Sequence, residues 1–280
     1  MRLATSYTDL SGRCQIRPIS DADFERLALP RLPADAVTWL YQNPTPMGIG
    51  GLLRVPGKPT EGDIFLLMQD EVNLRTDGAR MMRFLLEQAA QLGLKRVCAV
   101  CDSMQTPYAR LMSRFGFTHA YEEWDMWRML PQEAVLPDVQ LRMLPEAESA
   151  TLMRRLYKEG CADKPWYLPY VSDTHLLDEY GLNSDLLFLY VDDEPVGFVG
   201  VRYVGELAEV ELLGLLEAYR TAQWSKRLMQ ALLYHLVMQA NCQEVSVTMW
   251  RTNFESIKLA QSFGFHRVKT RTYLELNLAV

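Results

Sequence analysis

The sequence repeats itself. Phe115-Gly116-Phe117 returns as Phe263-Gly264-Phe265, 148 residues later, and Arg75 returns as Arg220, 145 residues later. A 280-residue chain that restates one order of elements at mid-length is constrained to fold as two copies of one unit. Each copy, at about 130 to 150 residues, is large enough to bury its own core.

The second copy reads more clearly. Val139 to Met143 is a short strand and Pro145 to Lys158 a helix; Leu186 to Val191 and Val196 to Tyr203 form a hairpin turning at Asp192-Asp193-Glu194-Pro195. Glu209 to Leu215 is a strand, and Ser225 to Ala240 carries Leu228, Met229, Leu232, Leu233, Leu236 and Val237 on one helical stripe. Val245, Val247 and Met249 alternate with polar residues as another strand. Asn253 caps a helix that runs to about Ser262 and ends at Gly264, and Val268 to Leu278 alternates as a closing strand.

The first copy follows the same order: strands over Gln15 to Pro18 and Asp63 to Met68, a helix from Gly78 to Leu92, a strand over Arg96 to Cys101, a helix from Tyr108 to Phe115, and a last strand within His119 to Leu130. Its hairpin shrinks to about Ile49 to Val55, so the first copy reads as abbreviated. The domains are expected at residues 1–130 and 138–280, joined by a linker over Pro131 to Pro137.

A formal charge of −6 and a pI near 5.4 argue against a nucleic acid or an anionic membrane as the main partner, since both require a basic surface. No run approaches the roughly 20 apolar residues that span a bilayer, and Met1 to Ser6 lacks a signal-peptide core, so the expected location is cytoplasmic. Both monomer and homodimer stay open. Five scattered cysteines are no disulfide framework, and Cys98 and Cys101, three apart on a strand, face opposite ways and cannot share a metal. The four histidines are too dispersed for a metal site.

Taken together, Ile16-Arg17-Pro18 in the opening strand, Tyr219-Arg220 after the fourth, and Asn253, Ser256, Leu259, Gly264 and Phe265 at their mutual spacing resemble the GCN5-related N-acetyltransferases, the GNAT superfamily. The resemblance covers nearly the whole chain. It implies an α/β (α+β) fold of two tandem GNAT-like domains, each a mixed, mostly antiparallel sheet flanked by helices. It also implies acetyl-CoA as co-substrate, with no metal, and a small-molecule amine as acceptor.

In this family a strand, a tight loop and a helix start present backbone N–H groups to the pyrophosphate of coenzyme A. The resemblance places that role on Arg220, Thr221, Ala222, Gln223, Trp224 and Ser225, with Leu213, Leu215, Asn253 and Ser256 along the rest of the cofactor. Gln223 stands where the family has glycine, and Lys226 and Arg227 read equally as phosphate ligands or as solvated helix charges. The first copy sets Asp77 where a pyrophosphate would approach, so it reads as a structural partner.

Glu209 occupies the position of the family's general base, with Glu211 second on the same strand face; the first copy has Ile64 there. The usual acid, a tyrosine, is replaced by Ala260, with Met112 in the first copy, and Tyr273 is the substitute. Asp163, Trp166, Tyr167, Tyr170, Asp173, Asp178 and Glu179 fall where the family roofs its acceptor pocket, a mixture suited to a cationic amine. The leading expectation is transfer of an acetyl or other short acyl group to a small amine by direct attack on the thioester. The competing one is a degenerate tandem protein that binds acyl-CoA or a protein partner.

Overall fold

The computed structural model describes residues 7–8, 15–19, 37–42, 45–55, 58–68, 73–161 and 184–278. The chain divides into two compact units, Met1–Glu122 with Arg271–Val280, and Glu123–Thr270. The residues expected as a linker, 131–137, thus fall within the second unit, and the units exchange closing segments. Strand β7 (Thr118–Met129) is shared, its residues from 123 onward belonging to the second unit, and β13 (His266–Asn277) gives its residues from 271 onward to the first.

In the second unit β8 (Leu141–Met143), β9 (Ser184–Val191), β10 (Glu194–Val204) and β11 (Leu207–Leu215) pair antiparallel in that order. Strand β12 (Glu244–Trp250) joins β11 in parallel and takes β7 on its other side. The β9–β10 hairpin turns at Asp192 and Asp193, both at positive φ (49° and 63°), the two-residue turn whose twist matches the strands it joins. Helix α3 (Glu146–Cys161) buries Met153, Leu156 and Tyr157 against Phe188 and Phe198 on one face. Helices α4 (Ala222–Met238) and α5 (Phe254–Ser262) bury Leu228, Leu232, Leu236 and Ala260 against Leu187, Val199, Val201 and Val245 on the other. Asn253 caps α5 by accepting from the Ser256 N–H, and Gly264 (φ 83°) ends it.

A polar lock ties α4 to the hairpin. The Tyr203 hydroxyl donates to Asp185 Oδ2 at 2.6 Å, and His235 Nε2 lies 3.4 Å from the same oxygen. The His235 bond first, and the Tyr203 bond after it, hold the Asp185 carboxyl below the usual range against the opposing effect of burial.

In the first unit β1 (Tyr7–Thr8), β2 (Gln15–Pro18), β3 (Val37–Gln42), β4 (Pro46–Arg54) and β5 (Glu61–Met68) pair antiparallel in order, β6 (Arg96–Cys101) joins β5 in parallel, and β13 pairs with β6. Helices α1 (Ala79–Gln91) and α2 (Pro107–Arg114) supply Met81, Met82, Leu85, Leu111 and Met112 to its core. On β6 Cys101 is buried and Cys98 half-buried, on opposite faces as the strand period requires.

The expected shrinkage of the first hairpin is wrong: β3 and β4 make a full counterpart of β9 and β10. The length difference lies ahead of it, with 18 residues between β2 and β3 and 40 between β8 and β9. Glycines hid β4 in the sequence, yet close approach requires them, since a side chain at Gly50 would collide with Met81 and Leu85, and one at Gly51 with the Phe65 ring.

Candidate active site

Strands β11 and β12 pair only from Leu207–Val210 against Glu244–Val247 and then part. At that point a bulge sets Gly200 opposite Leu212 and Val201 opposite Val210, so Glu211 is the extra residue of β11. The parted strands open a cleft of about 300 Å³. Val210, Leu212, Leu213, Met229, Leu232, Met249 and Phe265 make it largely apolar; Glu123, Glu211, Thr248, Asn253 and Ser256 give its polar groups. The Leu216 N–H donates to the Val196 carbonyl on β10. By antiparallel alternation, Leu213 and Leu215 therefore turn their backbone groups to the other edge, the one left free by β12.

Beyond β11 a short 3₁₀ turn (Glu217–Tyr219) leads to Thr221, which caps α4 by accepting from the Trp224 N–H. Helix geometry gives the N–H groups of Ala222 and Gln223 no intrahelical acceptor, and the segment from Ala218 to Arg227 contains no acid. Gln223 sits in the first turn of α4, where right-handed φ suits any residue, so replacing the family glycine carries no backbone strain. An apolar slot, a free strand edge and an open helix end follow one another as the thioester arm and pyrophosphate of coenzyme A require, and the residues present fit that molecule.

The Arg220 side chain is engaged with the backbone. Its Nε donates to the Leu215 carbonyl at 3.2 Å and its terminal nitrogen to the Gly160 carbonyl, joining the end of α3 to the end of β11. Arg227 stacks on Trp224 at 4.6 Å and pairs with Asp138 at 2.9 Å, while Tyr219 meets the Trp224 ring edge-on. These side chains brace the loop before α4.

Of the two carboxylates proposed as base, Glu211 lines the cleft, whereas Glu209 lies opposite Arg202 on β10 and accepts from its NH2 and Nε at 2.6 and 3.0 Å. Arg202 Nε also lies 2.9 Å from Glu211 Oε1. Sequence reasoning missed Arg202. Its signal was the turn at Gly205-Glu206, from which counting back along the hairpin sets Arg202 across from Glu209.

The expected substitute acid is misplaced. Tyr273 belongs to the first unit, where its ring stacks on Tyr121 at 4.3 Å. Ala260 is fully buried among core residues. The acceptor-roof residues Asp163, Trp166, Tyr167, Tyr170, Asp173, Asp178 and Glu179 lie outside the described residues. Among the described residues no three His, Cys, Asp or Glu side chains gather as a metal site would need, and no helix is long and apolar enough to cross a membrane.

The corresponding region of the first unit is built differently. β4 and β5 pair without a bulge from Gly48/Met68 to Arg54/Gly62. A π-type turn, Leu74–Gly78, precedes α1, and the N–H groups of Thr76 and Asp77 already donate to the Asn73 carbonyl. The Asp77 carboxylate accepts from the Tyr41 hydroxyl at 2.5 Å and pairs with Arg80 at 3.5 Å. Tyr108, at the position matching Ser256, packs against the core, where burial pushes its phenol far up.

Residues 151–265 match the acetyltransferase (GNAT) family model. No curated protein matches the sequence. Among solved structures, a GCN5-related N-acetyltransferase from Sphaerobacter thermophilus superposes with a TM-score of 0.69 at 15% identity, over 91% of this chain and 84% of that one. A tandem GNAT protein from the clavulanic acid biosynthesis pathway superposes at 0.68 and 13% identity, over 95% and 99% of the two chains. A putative acetyltransferase from Pyrococcus horikoshii gives 0.60 at 15% identity, over 96% and 90%. At these identities the likeness is one of fold. Residues 151–265 are thus similar to the acetyltransferase (GNAT) family, and the chain as a whole has the fold of the tandem GNAT protein.

Proposed function

We propose that the second unit is an acyl-CoA-dependent N-acyltransferase that moves an acetyl or other short acyl group to a small-molecule amine in the cytoplasm. The observation that carries this reading is the parting of β11 from β12 at Glu211. One cleft is thereby bordered by a carboxylate, a free strand edge and the open end of α4. Ala222 and Gln223 hold the pyrophosphate through their N–H groups, and Leu213 and Leu215 line the thioester arm. Asn253 and Ser256 flank it.

Glu211 accepts a proton from the incoming ammonium, and the freed nitrogen pair forms the bond to the acyl carbon. The N–H of Leu213 or Leu215 donates to the carbonyl oxygen as charge develops there. The carbon–sulfur bond then breaks, the thiolate leaves, and the second proton that the nitrogen sheds in becoming an amide passes through solvent to that thiolate. A thiol of pKa near 8 to 9 leaves tolerably as the anion, which suits a cleft whose usual tyrosine position holds Ala260.

The test is calorimetry with acetyl-CoA and coenzyme A, followed by a screen of small amines. One coenzyme A per chain and at least one acetylated amine are expected. Because Ala260 lies in the core, a second reading is retained in which the protein binds acyl-CoA without transferring the group. Tight binding with no amine acetylated would favour it.

A further inference from the structure

The segment 131–138 and one side of α4 border a groove of about 680 Å³, all of whose lining belongs to the second unit. Gln223, Lys226, Gln230, Leu233 and Val237 recur every three or four residues along it, a stripe beside the one that Leu228, Leu232 and Leu236 turn to the core. The groove therefore begins in the first turn of α4, at Gln223, whose N–H has no intrahelical acceptor. In a chain of formal charge −6 it holds three cations, Arg128, Lys226 and Arg227, against two acids, Glu133 and Asp138. Two of the cations have partners. Arg128 donates to the carbonyls of Met129, at 3.0 Å, and Phe263, and Arg227 is taken by Asp138 and the Trp224 ring. Among the described residues no acid lies within ion-pair distance of Lys226, and Glu133 is exposed. A cation near the start of a helix opposes the helix dipole; Asp138 offsets that cost for Arg227, and an anionic ligand would offset it for Lys226.

We infer that this groove takes the nucleotide end of coenzyme A and that Lys226 binds its 3′-phosphate, so that the protein separates coenzyme A from the 3′-dephospho form. The inference rests on the acyl-CoA reading proposed above and adds the residue that reads the far end of the molecule. On that reading the thioester arm takes the cleft between β11 and β12, and the pyrophosphate takes the N–H groups of Ala222 and Gln223. The ribose and its phosphate continue on the side of Gln223 that opens into the groove. Lys226 follows Gln223 by three residues and lines the same groove. A phosphate monoester carries a charge of about −1.5 to −2 at pH 7, and the lysine ammonium meets it as a point charge on a flexible stem. Leu233, Tyr234 and Phe263 give the groove apolar surface for the purine base to cover.

The experiment is calorimetry of the full chain with coenzyme A and with 3′-dephospho-coenzyme A. The parent is expected to bind coenzyme A about tenfold more tightly, the low end for a charge-assisted contact because the site is partly open to solvent. The preference should shrink as salt is raised. Lys226→Ala should lose affinity for coenzyme A and keep it for the dephospho form, which brings the two within about twofold of each other. Lys226→Arg should retain the preference. Equal affinity of the parent for both ligands, or a preference that survives Lys226→Ala, overturns the inference and leaves the acyl-CoA reading standing. Binding of neither ligand to the parent sinks that reading and takes the inference with it.

Discussion

The two units share one order of strands and helices, and in both the central parallel pair parts early, β11 from β12 after Val210 and β5 from β6 after Asp63, but they differ in what borders that parting. In the second, a bulge toward β10 sets Glu211 where β11 leaves β12, and α4 begins with N–H groups facing outward. In the first, β4 and β5 stay in register, the turn before α1 donates its N–H groups to Asn73, and the Asp77 carboxylate accepts from the Tyr41 hydroxyl. Tyr108 stands where the second unit has Ser256. The difference teaches that the fold does not depend on the site: a unit with Asp77 before its helix and Tyr108 in place of Ser256 keeps every strand.

The largest expected effect is on Glu211. Glu211→Gln should leave coenzyme A affinity intact and cut turnover by roughly 10² to 10⁴, with residual activity rising at high pH as free amine accumulates. Glu209→Gln should be milder. A pH–rate profile of both variants checks the order, and the reverse order would return the base to Glu209.

Next in size, giving the second unit the first unit's plug should close it. Ser256→Tyr is expected to weaken acetyl-CoA binding more than tenfold by calorimetry while the circular dichroism spectrum stays that of the parent. Undiminished affinity would show that the cleft is not the thioester slot. Arg220→Ala removes charged bonds to two carbonyls, each worth about 1.5–3 kcal/mol. It should lower Tm by several degrees and weaken coenzyme A binding only through that loss of order, so that lowering the temperature restores affinity. A large affinity loss with unchanged Tm would make Arg220 a direct ligand.

These contrasts show where the sequence was legible. Turn and cap chemistry is local, so Asp192-Asp193, Asn253 and Gly264 marked their elements correctly. Alternation placed β11 and β12, and the family resemblance placed the loop before α4. The bulge was not legible, because Glu209, Val210 and Glu211 alternate like any regular strand and nothing local reports that pairing stops at Val210. The charge of Arg220 was visible, whereas the carbonyls it bonds, on Leu215 and on Gly160 at a separation of 60 residues, were not. Tyr273 was assigned to the second copy because it follows it in sequence, whereas its strand ends in the first unit.

The polar lock of the second unit gives a smaller effect with a definite sign. The Asp185 carboxyl is held low in the folded chain, so its contribution to stability is present above the unfolded value of about 3.9 and is lost as pH falls through the folded value. Asp185→Asn should therefore lower Tm by about 2–5 °C at pH 7, and the gap from the parent should narrow below pH 4. A gap constant from pH 7 to pH 3 would remove Asp185 from the account. Smallest of all, Asp77→Asn in the first unit should leave the acetylation rate and the number of coenzyme A sites unchanged.

The measurement that bears most directly on the contrast between the units is a crystal structure of the full chain with coenzyme A. The pyrophosphate is expected against the N–H groups of Ala222 and Gln223, with the thioester arm between β11 and β12 beside Glu211. Pyrophosphate density against Gly78, or a second molecule bound in the first unit, would contradict it.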